Sequence, residues 1–335
     1  MSANVTRRVL VTDYAWPSLV TEREALGKIG AELVVASTGQ EEELQGLAPQ
    51  ADAILTNWKL VSAKTIAQAS KCSIISRYGV GVDNIDVEAA TAHGIVVTNV
   101  PDYCMEEVST EAMALLLCGA RRIMVYDRQV RAGGWDMRAG LPFPRLWGLT
   151  LGIIGFGRIG RAVAPKAQAF GLRVIGYDPY IDQQEMVKRN VTPTDFETLL
   201  RESDFVTLHT PLTPETSKMI GVKALGKMKP TAWLINTARG GVVDTEALAA
   251  ALQNGRIAGA SLDVMPQEPP AVNDPLRSLP NVILTPHSAF YSEGSLQELQ
   301  VKAVKRIVDV FTGATPDHII NPAVLEQNNC RLKRR

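Results

Sequence analysis

Leu151-Gly-Ile-Ile-Gly155-Phe156-Gly157-Arg158-Ile159-Gly160 reads as a buried strand that runs into a glycine turn and then a helix. Gly155 permits the tight turn, Gly157 lets the backbone approach a pyrophosphate, and Gly160 lets helix and strand pack closely. The exposed N–H groups of the helix start attract phosphates. The motif has the setting it needs: an apolar strand over residues 150–154, a helical pattern over 158–170, and a second strand, Arg173-Val-Ile-Gly-Tyr-Asp178. Asp178 stands where an acid chelates the adenosine ribose hydroxyls. It would repel a 2′-phosphate that neither Tyr177 nor Pro179 could neutralise. The expectation is a dinucleotide site that takes NAD, with NADP disfavoured.

Around this unit, short apolar runs alternate with helical segments, the pattern of parallel sheets covered by helices. The first lobe has runs at 9–12, 33–35, 53–56, 73–76 and 95–98. The second has them at 150–154, 205–209, 232–236, 258–263 and 282–284. One long apolar helix over 106–131 is expected to join the lobes, and a last helix near 295–312 to return to the first. Two crossings would leave a cleft between lobes. The stretch 135–147 reads as an exposed excursion.

Composition narrows the function. A chain of 335 residues exceeds what one core usually serves. Lys+Arg 35 balances Asp+Glu 35, so nothing marks a nucleic-acid or membrane partner, and a small molecule is expected. Cys72, Cys104, Cys118 and Cys330 form no CxxC pair, so no metal site or disulfide framework is expected. Reduced thiols, no apolar leader at Met1-Ser-Ala-Asn-Val-Thr-Arg-Arg and no stretch long enough to span a membrane point to a cytoplasmic protein. The basic end Arg331-Leu-Lys-Arg-Arg335 reads as a solvated terminus.

Three polar motifs follow second-lobe strands: Asn236-Thr-Ala-Arg239-Gly-Gly, Asp263-Val-Met-Pro-Gln-Glu268-Pro-Pro and Thr285-Pro-His287-Ser. Ligands of an open parallel sheet bind beyond the carboxyl ends of its strands, so the three converge on one crevice. Hydride exchange with a 2-oxo acid needs a proton donor, a cation for the carboxylate and carbonyl oxygens, and a group that keeps the donor charged. Histidine suits the first role, as it exchanges protons near neutrality. The guanidinium of Arg239 suits the second, because its planar fork grips a carboxylate. Glu268 suits the third, since an ionised carboxylate favours a neighbouring imidazolium.

Together with His209-Thr-Pro-Leu-Thr-Pro-Glu-Thr216, Leu262-Asp-Val, Arg77-Tyr-Gly-Val80-Gly81-Val-Asp-Asn-Ile-Asp86 and Asn99-Val-Pro101, these motifs resemble the D-isomer-specific 2-hydroxyacid dehydrogenases over nearly the whole chain. The resemblance implies an α/β fold of two doubly wound parallel-sheet lobes. A Rossmann NAD-binding domain, residues 105–292, is inserted in a flavodoxin-like substrate domain formed by 1–104 and 293–335. It implies Arg239, Glu268 and His287 as catalytic residues and the Val80 and Gly81 N–H groups as carboxylate ligands. For the cofactor it implies the glycine turn with Phe156, Arg158 and Ile159, then Asp178, His209, Thr210, Pro211 and Thr216. Thr237 and Ala238 fall near the nicotinamide ribose and Asp263 at the carboxamide. Arg77 fits either a substrate contact or a structural ion pair. A homodimer is implied through the 106–131 helix and the excursion after it.

Asp13-Tyr, Val100-Pro-Asp-Tyr-Cys-Met-Glu-Glu-Val108 and His287-Ser-Ala-Phe-Tyr-Ser-Glu293 are further similar to the C-terminal binding proteins, NAD(H)-dependent corepressors of the same architecture. Phe290 stands where those corepressors carry tryptophan, and the 209–216 motif is that of ordinary dehydrogenases. The chain is read as a metabolic enzyme of the corepressor-like branch. An NAD(H)-sensing binding protein and a phosphite dehydrogenase are the alternatives, and Glu268 weighs against a formate dehydrogenase, which resemblance would require to carry Gln.

Overall fold

The computed structural model describes residues 6–332, so the start of the leader reading and Lys333 to Arg335 of the basic end lie outside the described residues. The chain divides into two compact units, residues 1–103 with 292–335, and 104–291.

In the first unit β1 (Arg7–Val11), β2 (Ala31–Val35), β3 (Ala53–Thr56), β4 (Ile74–Arg77) and β5 (Val96–Thr98) form a parallel sheet in the order β2-β1-β3-β4-β5. Helices α1 (Val20–Gly27), α2 (Glu41–Leu47), α3 (Ala63–Gln68) and α4 (Val87–Ala92) make the crossovers. This is the flavodoxin-like order, with its topological switch between β1 and β3. The strands are near-continuous Val, Ile and Leu because helices cover both faces. Leu10, Ile54, Ile75 and Val97 line one core beneath Leu44 and Ile66.

In the second unit α5 (Met105–Ala120) and α6 (Ile123–Arg131) precede β6 (Thr150–Ile154), α7 (Arg158–Ala169), β7 (Arg173–Tyr177), α8 (Gln183–Val187), β8 (Thr192–Pro193), α9 (Phe196–Glu202) and β9 (Phe205–Leu208). Then come α10 (Val222–Leu225), β10 (Trp233–Asn236), α11 (Thr245–Gln253), β11 (Gly259–Leu262) and β12 (Val282–Leu284). The seven parallel strands run β12-β11-β10-β9-β6-β7-β8, the Rossmann order with its switch between β6 and β9. Alternate strand residues serve two cores: Ile154, Val206 and Leu234 face α9 to α11, while Ile153, Phe205, Trp233 and Ile235 face α5 and α7.

The final helix, α12 (Glu293–Thr312), starts at a Ser292/Ser295 capping box and belongs to the first unit. Its Ala303 carbonyl accepts from Ser76 Oγ at 2.9 Å, and Gln300 Nε2 donates to both oxygens of the buried Glu22. The long helix expected over 106–131 is broken. Arg122 takes a left-handed φ of 53°, and its guanidinium lies 5.2 Å from the Trp233 ring, while that of Arg121 lies 4.5 Å from Phe143. Two arginines drawn to aromatic faces turn the chain between α5 and α6.

Trp233 fixes the second unit's packing. Its indole N–H donates to Ser261 Oγ at 2.8 Å, and methyl groups added at Gly119 and Gly259 would lie 2.5 and 2.1 Å from its ring. Tethered and flanked on both sides, the ring cannot yield. Gly259→Ala should therefore cost roughly 1–3 kcal/mol in urea unfolding, and a loss below about 0.5 kcal/mol would show that the ring has room.

Candidate active site

Gly155 has a φ of 89°, open to glycine at little cost, and a methyl group there would lie 2.6 Å from the His209 carbonyl oxygen. The turn after β6 and the His209-Thr210-Pro211 loop after β9 thus meet at the switch point. Gly160 would meet the Gly155 oxygen at 2.3 Å, so helix α7 starts hard against the turn. A methyl group at Gly157 would meet nothing within 4 Å, so the space above the first amides of α7 is open. The N–H groups of Arg158, Ile159 and Gly160 precede the first intrahelical bond, from Arg161 N to the Gly157 oxygen.

Asp178 follows β7, and its two oxygens accept from Phe156 N at 2.8 Å and Tyr180 N at 2.9 Å. Lone pairs remain for ribose hydroxyls. The Phe156 side chain is wholly buried and Ile159 packs against the core, so both act through the backbone, whereas Arg158 is exposed. Three buried polar atoms around the same strand ends have no partner among the described residues: His209 Nδ1, Thr210 Oγ1 and Thr237 Oγ1. Removal from water pushes the His209 imidazole down to about 3, so it is neutral, with Thr207 Oγ1 at 3.0 Å from Nε2. Open helix amides, a ribose-type acid and unspent donors together fit NAD. Thr216 is committed to its own loop, donating to the Pro211 oxygen at 2.6 Å.

Arg239, Glu268 and His287 follow the ends of β10, β11 and β12. His287 Nδ1 lies 2.6 Å from Glu268 Oε2, and Glu268 Oε1 accepts from Met265 N at 2.9 Å. Burial opposes ionisation of Glu268, but the hydrogen bond and charge of His287, the Met265 N–H and the charge of Arg239 outweigh it and hold its pKa below the ordinary value. The Arg239 charge acts on Glu268, and the loop that carries it packs closely on the next one: a methyl group at Gly240 would lie 2.0 Å from the Met265 carbonyl carbon. The Arg239 guanidinium also donates to the Ala238 oxygen at 2.8 Å.

Two residues of the quoted motifs have a supporting role that the motifs do not reveal. Asn236 accepts from Ala238 N at 3.0 Å and donates to the Arg239 oxygen at 2.9 Å, shaping the arginine loop. Asp263 is buried, and its carboxylate accepts from Thr285 Oγ1 at 2.6 Å, Ser288 N at 2.9 Å and Ala289 N at 2.9 Å. Its backbone oxygen accepts from His287 N at 2.7 Å. Asp263, expected at the carboxamide, anchors the histidine loop. Phe290 stands edge-on to the imidazole, with centroids 6.0 Å apart.

In the first unit, Arg77 is buried and turned into its own loop: its guanidinium donates to the Tyr78 oxygen and fills the space beside Gly79. Val80 N and Gly81 N have no acceptor among the described backbone hydrogen bonds, whereas the carbonyls of Tyr78, Gly79 and Val80 are all engaged. Consecutive amides turned the same way are an anion site.

Residues 113–289 match the family described as D-isomer specific 2-hydroxyacid dehydrogenase, NAD binding domain. The chain is 44% identical over 270 residues to a glyoxylate reductase of Korarchaeum cryptofilum, covering 79% of this chain and 81% of that protein. It is 39% identical over 329 residues, 97% of its length, to a D-3-phosphoglycerate dehydrogenase of Methanocaldococcus jannaschii, of which it spans 62%. Its fold is similar to that of D-lactate dehydrogenase from Aquifex aeolicus complexed with NAD and lactic acid, with a TM-score of 0.85, 30% identity and coverage of 92% of this chain and 96% of that one. The chain belongs to the D-isomer-specific 2-hydroxyacid dehydrogenase family, and its cofactor is NAD. No helix among the described residues is long and apolar enough to cross a membrane.

The pKa of Glu268 lies below its ordinary value, so its carboxylate contact favours the folded state at higher pH. The hold of its carboxylate on the His287 ring is complete above the ordinary value of 4.5 and fades as pH falls below it. The Tm difference between wild type and Glu268→Gln should be steady from about pH 6 down to 4.5 and shrink at lower pH. A difference that persists unchanged in stronger acid would contradict this.

Proposed function

We propose that the chain is an NAD-dependent oxidoreductase that interconverts a small 2-oxo acid and the corresponding D-2-hydroxy acid. The observation that carries this reading is the 2.6 Å pair of His287 Nδ1 and Glu268 Oε2 beside Arg239. Because Nδ1 is committed to Glu268, proton exchange with the substrate oxygen falls to Nε2. Reduction places negative charge on that oxygen. The imidazolium quenches it by giving up its proton, and Glu268 holds the ring in one orientation while the charge changes. Arg239 polarises the carbonyl and grips the carboxylate. When bound, NADH supplies the hydride, and NAD+ receives it in the reverse direction. Val80 N and Gly81 N hold the substrate carboxylate, and glyoxylate is the first substrate to try, given the reductase relatives.

His287→Ala should lower kcat about 100-fold or more while NADH binding, read by fluorescence titration, stays within about 2-fold. Lost cofactor binding with the remaining turnover undiminished would contradict the assignment.

The likeness to C-terminal binding proteins, the cytoplasmic location and the homodimer belong to the same proposal. For the dimer the support is exposed apolar surface in one region: Trp135 is 90% exposed, Met137 85% and Trp147 75%, with Leu141 close behind. Tyr126 OH ties this excursion to α6 through the Met137 oxygen at 2.8 Å, so it is held rather than loose. Sedimentation equilibrium should show twice the chain mass, and Trp135→Arg with Trp147→Arg should yield the monomer. An unchanged dimer in that double variant would place the interface elsewhere.

A further inference from the structure

The carboxylate grip assigned to residues 80 and 81 depends on which way two peptide planes face. In a trans peptide the C=O of one residue and the N–H of the next point in opposite directions. Fixing the Gly79 oxygen therefore fixes Val80 N–H, and fixing the Val80 oxygen fixes Gly81 N–H. The two are fixed differently. The Gly79 oxygen accepts from the backbone N–H of Val100 at 2.9 Å, a bond that no side-chain substitution removes. The Val80 oxygen accepts from a side chain, Asn99 Nδ2, at 2.6 Å. Since the acceptor is a carbonyl, the Asn99 amide nitrogen must be the donor, which settles the orientation of that side chain. Asn99 is buried at 6% exposure, just beyond the end of β5.

The peptide needs such a hold. Flipping the plane between residues 80 and 81 rotates ψ of Val80 and φ of Gly81, and glycine accepts either sign of φ at little cost. We infer that Asn99 is a positioning residue for substrate binding: its side-chain amide pins the Val80–Gly81 peptide so that Gly81 N–H points outward to the 2-oxo acid carboxylate. The inference rests on the proposed role of Val80 and Gly81. It adds that the grip is set from the segment leading out of β5 and not by the loop alone.

The chain offers a clean probe, because Val80–Gly81 is its one Val-Gly step. Full-length protein labelled with carbonyl-13C valine and 15N glycine gives a single correlation in an HNCO spectrum, that of Gly81 N–H. In wild type with NADH present, oxamate should shift this peak. Asn99→Asp keeps the shape and loses the donor, and Asn99→Ala serves if the aspartate variant folds poorly. Either should move the Gly81 peak in the oxamate-free protein, abolish its response to oxamate, and raise KM for glyoxylate roughly 10- to 100-fold. Uniform binding is what is lost, so kcat and NADH affinity should change by less than about 3-fold. If wild-type Gly81 responds to oxamate and both variants respond as fully with unchanged KM, the role of Asn99 is overturned while the carboxylate site stands. If wild-type Gly81 does not respond, the carboxylate site itself falls, and the inference with it.

Discussion

The carboxylate of Asp263 sets the loop that carries His287 in the second unit. His287 sits in left-handed backbone, with φ of 53°, a conformation that costs a non-glycine residue on the order of 1 kcal/mol. That cost is met by four hydrogen bonds from the 285–289 loop to one buried residue, three to its carboxylate and one to its backbone oxygen. The bond from His287 N to the Asp263 oxygen spans the strand ends of β12 and β11, so the imidazole is carried by the sheet and not by a free loop. Glu268 then has only the ring to orient. With Glu268 removed the loop would keep its place, whereas with Asp263 removed the ring would lose its platform.

The two units use their switch points in opposite ways. Between β6 and β9 the turn leaves open space over Gly157 and the first amides of α7 unspent, which suits a dinucleotide phosphate. Between β1 and β3 of the first unit, the equivalent place is filled by the chain itself. Asp13 accepts from Asn57 N, Trp58 N and Lys59 N at 2.8–3.2 Å, with Thr12 Oγ1 at 2.7 Å. A carboxylate already seated on three amides excludes an external phosphate there. The same doubly wound plan thus offers a nucleotide site in one unit and closes it in the other.

Local signals in the sequence were those whose cause is local. A glycine turn between an apolar strand and a helix could be read because each glycine answers a steric demand within a few residues. The strands could be read because full burial makes them continuous apolar runs, although 205–209 and 258–263 extend past the observed β9 and β11 into their functional loops. The break between α5 and α6 was invisible, since Arg121 and Arg122 look like helix residues until Phe143 and Trp233 are brought beside them. For the same reason the anchoring work of Asp263 and Asn99 could not be read. Their partners lie 22–26 and 19 residues away, and nothing in either segment alone specifies the pairing.

A chain with 35 basic and 35 acidic residues carries no net charge to attract an anion, yet both its cofactor and its proposed substrate are anionic. The structure resolves this by polarity at close range. In the glycine turn and in the 77–81 loop, carbonyls and carboxylates are engaged inward, through Asp178 with Phe156 N and through Asn99 with the Val80 oxygen, while neighbouring amides are turned out. Oriented peptide dipoles act over a few ångströms and are blind to polyanions at a distance. In the proposed reaction, guanidinium charge is kept for the place where a full charge develops, Arg239 beside the Glu268–His287 pair. In the proposed function, discrimination among small acids rests on the geometry of two or three amides, so substrate range follows backbone orientation more than surface charge.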